Sequence, residues 1–236
     1  MTLLRSALFN LYFFGMTILL LPPAVAVRFV APASALAIPM IWARVVLGGL
    51  RLICGIRTDV RGQEYLPSEG PALIASQHQS AFDTLVWLTL LPRCSYVVKR
   101  ELERIPVFGG LLRPAGMIVV DRSAGASALR HLIREARRAM AEGRQIVIFP
   151  EGTRGEPGQP LPLHPGIAAM AARTGLPVIP VVTDSGRLWG RRAFSKRAGT
   201  IHVRVLEPIP ATERHEALLQ RLSAAFYEPV VDKSVG

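Results

Sequence analysis

The segment Ser76-Gln77-His78-Gln79-Ser80-Ala81-Phe82-Asp83 places an imidazole five residues before a carboxylate. Downstream follows Phe149-Pro150-Glu151-Gly152-Thr153-Arg154, which combines a glycine with a guanidinium. A neutral imidazole can take a proton near neutral pH, and a neighbouring carboxylate fixes its tautomer and stabilises the imidazolium that forms. His78 and Asp83 thus make half of a catalytic triad. The missing nucleophile could be the hydroxyl of a bound alcohol, in which case the reaction is acyl transfer to that alcohol. Ser80 is the protein residue that could serve instead. One His and one Asp at this spacing also arise by chance in a chain with 5 His and 17 acidic residues, so the elements around them decide the matter.

Pro71 to Ser76 reads as a short buried strand and Phe82 to Leu91 as a helix with apolar spacing, which puts His78 on a strand-to-helix loop. In α/β sheets, ligands collect in the crevice beyond the carboxyl ends of the strands. The pattern continues with strands near residues 95 to 98, 116 to 120, 145 to 149, 177 to 182 and 200 to 206. Helices are predicted near 80 to 91, 125 to 142, 165 to 174 and 212 to 227. This alternation predicts an α/β fold, a sheet flanked by helices.

Four blocks carry a resemblance. They are Gln77-His78-Gln79-Ser80-Ala81-Phe82-Asp83, Gly116-Met117-Ile118-Val119-Val120-Asp121-Arg122, Phe149-Pro150-Glu151-Gly152-Thr153-Arg154 and Val178-Ile179-Pro180-Val181. Between the first two lie Lys99-Arg100-Glu101-Leu102 and Ile105-Pro106-Val107-Phe108-Gly109. In this order, over roughly residues 60 to 185, the chain resembles the glycerolipid acyltransferase family, and within it the bacterial lysophosphatidate acyltransferases. Two positions depart from the family pattern: Gln77 stands where Asn is usual before the His, and His164 where many members have Lys.

The resemblance implies transfer of a fatty acyl group from acyl-CoA or acyl-carrier protein to the sn-2 hydroxyl of lysophosphatidate, giving phosphatidate for phospholipid synthesis. His78 and Asp83 would be catalytic, and Lys99, Arg122, Glu151, Gly152, Thr153 and Arg154 substrate-binding. Arg122 and Arg154 offer guanidinium forks suited to phosphate, and Gly152 allows close backbone approach. Lys99 is either a further phosphate contact or a strand-end lysine. Glu151 would repel a phosphate, so it either shapes the loop or binds a glycerol hydroxyl. This chemistry requires no metal and no bound cofactor, the donor being a co-substrate. Other readings are a different acceptor, glycerol 3-phosphate or a lyso-aminolipid; a lipid hydrolase using Ser80 and His78; and an inactive membrane binder. A hydrolase would lack the Gly-x-Ser-x-Gly elbow.

The front of the chain is apolar. Arg5 is the only charge from Leu3 to Leu21 and Arg44 the only one from Ala33 to Leu50, within a chain of mean hydropathy +0.32. Each run approaches the roughly 20 residues that cross a bilayer, with Pro22-Pro23 expected to end the first and Pro39 to interrupt the second. Three readings compete. A signal peptide would be cleaved after Ala24-Val25-Ala26, a two-span hairpin would cross the bilayer, and a helical pair could dip into one leaflet. Both retained forms put the start and the catalytic part on one side, and Arg51, Arg57 and Arg61 favour the cytoplasmic side, in a bacterial inner membrane. The expected organisation is a membrane-embedded helical pair over residues 1–56, followed by an α/β acyltransferase domain with a mixed sheet over 57–236.

The net charge of +11 and pI near 10.9 call for an anionic partner. The basic residues are scattered, with groups at Arg130, Arg134, Arg137 and Arg138 and at Arg187, Arg191, Arg192, Lys196 and Arg197, and no nucleic-acid motif accompanies them. An anionic lipid surface fits better than nucleic acid. Cys54 and Cys94 form no metal-spaced set and read as free thiols. Glu156 to Pro165, rich in Pro and Gly, reads as a loop beside the site.

Overall fold

The computed structural model describes residues 1–228. Helices α1 (Thr2–Val30) and α2 (Ala37–Gly49) come first, and a wider turn of helix over Leu50–Cys54 prolongs α2. The remaining chain alternates: β1 (Ile56–Arg61), β2 (Ala72–Ser76), α3 (Phe82–Leu90), β3 (Cys94–Lys99), α4 (Phe108–Leu112), β4 (Ile118–Val120), α5 (Gly125–Ala141), β5 (Gln145–Ile148), α6 (Gly166–Thr174), β6 (Val178–Thr183), β7 (Gly199–Val205) and α7 (His215–Tyr227). The strands form one seven-stranded sheet in the order β1-β7-β6-β2-β5-β3-β4. All neighbours run parallel except β6 and β7, so the sheet is mixed, as expected.

Side chains alternate across β2, and the alternation separates two cores. Ala72 and Ile74 join Phe82, Leu85 and Trp87 of α3 on one face. Leu73 and Ala75 join Leu132 and Ala136 of α5, Ile167 and Met170 of α6, and Leu218 and Phe226 of α7 on the other. All five β2 residues are buried, the pattern of a central strand covered on both sides. Phe9 of α1 and Ala43, Val46 and Leu50 of the α2 segment belong to the first core, beside Phe82 and Trp87. The apolar pair therefore serves as part of one helical layer.

One local expectation is corrected, and two short elements were not foreseen. Helix α1 continues through Pro22 and Pro23 to Val30. The two prolines remove only two N–H donors, and α1 is held against α2, where the Trp42 indole N–H donates to the Thr17 hydroxyl at 3.0 Å. The strand β1 and the short helix α4 went unpredicted. Only Ile56 of β1 is buried, and its Arg57, Asp59 and Arg61 suit an exposed sheet edge, so no apolar alternation marks it. The expected domain boundary falls one residue into this strand, and residues 229–236 of the catalytic segment lie outside the described ones.

Candidate active site

The loop between β2 and α3 is wrapped around Asp83. Its Oδ2 accepts the backbone N–H groups of Gln79 and Ser80, both at 2.7 Å, and lies 3.3 Å from His78 Nδ1. Side-chain exposure is 13% for His78 and 2% for Asp83, so water competes little for this contact. Nδ1–H donates to the carboxylate, and Nε2 keeps its lone pair. The imidazole stacks on Phe149, with centroids 4.2 Å apart and planes 21° apart, and Tyr96 stacks on the same ring at 6.1 Å. Ser80 is fully buried and its Oγ accepts the Phe82 N–H, which makes it a helix-entry residue away from the cavity.

Glu151 is buried, with both carboxylate oxygens engaged by the protein. Oε2 accepts the His78 N–H at 2.6 Å and Oε1 the Tyr227 hydroxyl at 2.6 Å. Gly155 N–H donates to the His78 carbonyl at 2.7 Å, so the loop after β5 grips both polar groups of the His78 backbone. Of the two roles open for Glu151, this geometry displays loop shaping. Burial raises its pKa above the ordinary Glu value, while the hydrogen bonds from Tyr227 and the His78 N–H pull the other way.

Beside this grip lies the cationic end. Gly152 has φ of +69°, and an added Cβ would come within 2.5 Å of His164 Nε2 and 2.9 Å of Arg122 Nη1. A side chain there would strain the backbone and push His164 and Arg122 aside, which favours glycine. Arg122 Nη1 donates to the Gly152 carbonyl at 2.8 Å, while Asp121 pairs with Arg100, so Arg122 is not a surface partner of its neighbour. Lys99 ends β3 opposite Val120 of β4, two residues before Arg122. His164, the departure from Lys, keeps its ring at this end. Gln77 bridges the Thr183 N–H and the Phe226 carbonyl, fastening β6 to α7.

His78, Lys99, Arg122, Gly152, Thr153 and Arg154 all line one cavity of about 650 Å³. From this polar end the cavity runs between the sheet and the N-terminal helices, where Leu20, Leu21, Ala24 and Trp42 face Leu88, Leu111 and Met117. Asp83 and Glu151 stand behind the wall. Arg191 and Arg192 also line the cavity; the sequence places them in a basic group but gives no signal of this position. Tyr227 was missed because 76 residues separate it from Glu151. A second pair, His202 Nδ1 with Asp184 Oδ2 at 2.8 Å, joins residues 18 apart in sequence and lies away from the cavity.

The profile of a family described as Acyltransferase matches residues 57–184, more than half of the chain. A 1-acyl-sn-glycerol-3-phosphate acyltransferase of Pseudomonas aeruginosa is 38% identical over 162 residues, covering 69% of this chain and 63% of that one. The human 1-acyl-sn-glycerol-3-phosphate acyltransferase alpha is 32% identical over 169 residues, 71% of this chain and 60% of the relative. The chain thus spans a little under two thirds of the length of these relatives. The crystal structure of the 1-acyl-sn-glycerophosphate acyltransferase from Thermotoga maritima superposes with a TM-score of 0.78 over 96% of this chain and 95% of that one, at 21% identity. That likeness shows a shared fold.

Proposed function

Because the chain belongs to the acyltransferase family, we propose that it moves a fatty acyl group from a thioester to the sn-2 hydroxyl of lysophosphatidate, giving phosphatidate. One observation carries this reading: a single cavity joins an arginine-lined end holding His78 to an apolar channel. An anionic headgroup and a hydrocarbon chain need those two environments on either side of the reacting atoms.

In the proposed reaction Arg122, Arg154 and Lys99 receive the acceptor phosphate, with the Gly152 backbone close against it. The acceptor hydroxyl faces His78 Nε2, which takes its proton as the oxygen attacks the thioester carbon. The new C–O bond forms, the C–S bond breaks, and the proton on Nε2 passes to the departing thiolate. Asp83 stabilises the imidazolium between these steps. The donor thioester is acyl-CoA or acyl-carrier protein, and neither a metal nor a bound cofactor enters the scheme.

The membrane reading follows from the helices. Leu3, Leu4, Leu8, Leu11, Phe14, Ile18 and Leu19 of α1 are exposed. The turn after α1 does not project away from the catalytic part: Pro32 and Ala33 share a pocket wall with Arg113, Glu135, Arg138 and Arg144. A pair spanning the bilayer would drag those charges toward hydrocarbon. We infer on this ground that the pair lies in one leaflet, and the reading places the catalytic part on the cytoplasmic face of a bacterial inner membrane. The deciding experiment incubates purified full-length protein in detergent with lysophosphatidate and a panel of acyl-CoA and acyl-carrier donors and identifies the lipids by mass. Formation of phosphatidate supports the reading, and acylation of another lysolipid or glycerol 3-phosphate in its place overturns the acceptor.

A further inference from the structure

Strands β6, β2, β5, β3 and β4 are parallel neighbours, so the loops at their carboxyl ends line up in strand order. His78, after β2, has Arg154, Lys99 and Arg122 on one side, after β5, β3 and β4. The chain after β6, carrying Arg187 to Arg197, lies on the other side. The loop after β6 nonetheless reaches the wall that Arg154 lines, so its arginines form a second cationic group beside the first.

The second group is held in place. Arg191 Nη1 donates to the Arg154 carbonyl at 3.3 Å, and the turn closes through Ala193 N–H to Gly190 O at 3.1 Å and Arg197 N–H to Leu188 O at 2.9 Å. Lys196 is buried; its ammonium donates to Asn10 Oδ1 at 2.5 Å and the Phe194 carbonyl at 2.9 Å, and sits 5.5 Å from the Phe9 ring centroid. Arg192 has φ of +55°, a conformation that strains a residue other than glycine. Among the described residues, neither Arg191 nor Arg192 has a carboxylate partner. Both share a cavity wall with Arg154, so like charges gather there with no anion of the protein between them.

We propose that Arg191 and Arg192 bind the phosphate of the donor's phosphopantetheine arm, while Arg122, Arg154 and Lys99 take the acceptor phosphate. This rests on the thioester-dependent transfer described above. The acceptor phosphate carries a charge of about −2 at most and already meets Arg122, Arg154 and Lys99. The surplus charge faces the second reactant. Coenzyme A and carrier protein share one feature beyond the pantetheine itself, a phosphate at the far end of a flexible arm. A phosphate so far from the thioester belongs at the rim of the cavity, where both arginines are exposed.

The test measures affinity of full-length protein in detergent for coenzyme A, 4′-phosphopantetheine and pantetheine, together with KM for both substrates. The variants are Arg191→Gln and Arg192→Gly; glycine suits the left-handed backbone, so loss there does not report misfolding. Each should weaken coenzyme A and 4′-phosphopantetheine by roughly tenfold, the worth of one charge-assisted contact, and leave pantetheine and KM for lysophosphatidate unchanged. Holo-carrier protein should weaken alongside coenzyme A. Unchanged coenzyme A affinity, loss confined to coenzyme A's nucleotide part, weaker lysophosphatidate instead, or weaker binding to anionic vesicles alone would each overturn the assignment. Wild-type protein that binds coenzyme A through these arginines yet fails to acylate lysophosphatidate would refute the acceptor reading and support this one.

Discussion

Glu151 accepts the backbone N–H of His78 at 2.6 Å, so the residue proposed as base is positioned by a carboxylate that never faces the reacting atoms. The loop carrying Gly152 and Arg154, the proposed acceptor contacts, is the same loop that fixes the imidazole. Anything that shifts the anion end shifts the base with it.

Replacing Glu151 with Ala leaves the His78 N–H and the Tyr227 hydroxyl without their acceptor, each at a cost of about 1–3 kcal/mol where buried. Activity should fall through kcat more than through KM for the donor, and the melting temperature should drop. Glu151→Gln keeps one oxygen for the His78 N–H and turns its amide toward the Tyr227 oxygen, so it should recover much of both. Equal damage from Ala and Gln would contradict a positioning role.

Glu151 also sets a pH dependence. Burial holds its pKa above the ordinary Glu value, so the folded chain binds this proton more tightly than the unfolded chain does. Its stability penalty is absent at pH below the ordinary Glu value and grows as pH rises through the raised one. The melting temperature of the wild type should therefore fall relative to Glu151→Gln over that interval. Melting curves with a constant difference across the acid range would show that Glu151 does not titrate as stated.

His78→Ala should abolish transfer with folding and membrane association intact. Asp83→Asn should lose about 10²- to 10⁴-fold in kcat, because an amide cannot hold the imidazolium. Ser80→Ala should keep near-normal turnover and cost about 1 kcal/mol of stability through the lost hydrogen bond from the Phe82 N–H. Single-turnover assays with melting curves separate the three. A Ser80→Ala enzyme that folds yet is dead would return the hydrolase reading.

Alanine at Arg122 or Arg154 should raise the apparent KM for lysophosphatidate by roughly ten- to a hundredfold and change that for the thioester much less. Steady-state kinetics with each substrate varied in turn gives the comparison. Equal rises for both substrates would mark these arginines as structural.

Removing residues 1–54 takes Phe9, Ala43, Val46 and Leu50 from the core that holds Phe82 and Trp87. Loss of even two or three large side chains, at about 2–5 kcal/mol each, consumes a domain stability of roughly 5–15 kcal/mol. The truncated chain should be insoluble, while full-length protein should stay with membranes through a high-salt wash, since salt screens arginines but not apolar burial. A soluble, cooperatively melting truncation would show that the sheet has a complete core without the pair.

What the sequence made legible follows from physics that is local along the chain. The strand-to-helix loop at His78 and the glycine requirement at Gly152 can be read from a few adjacent residues, and the central strands from continuous apolar runs. Hydropathy marks α1 and α2 as apolar but does not say what their inner faces meet, which is why Phe9 and Leu50 in the sheet's core come as news. Strand β1 hides because an edge needs charges where a buried strand needs alternation. Glu151 with Tyr227, and Arg191 with Arg154, are brought together by the order of strands, which no spacing along the chain encodes.

Helix α1 shows one face to the cavity, through Leu20, Leu21 and Ala24, and another outward, through Leu11, Ile18 and Leu19. In the proposed placement, with the pair in a leaflet, the channel's wall is also the boundary with lipid. A hydrocarbon chain entering sideways from the leaflet would never be wetted, so the aqueous barrier of roughly 0.8 kcal/mol per methylene that opposes desorption would not be charged to each turnover. The enzyme would then sense its lipid as a two-dimensional mole fraction in the surface around it, and dilution of the bulk suspension at a fixed concentration of the soluble thioester would leave its rate untouched.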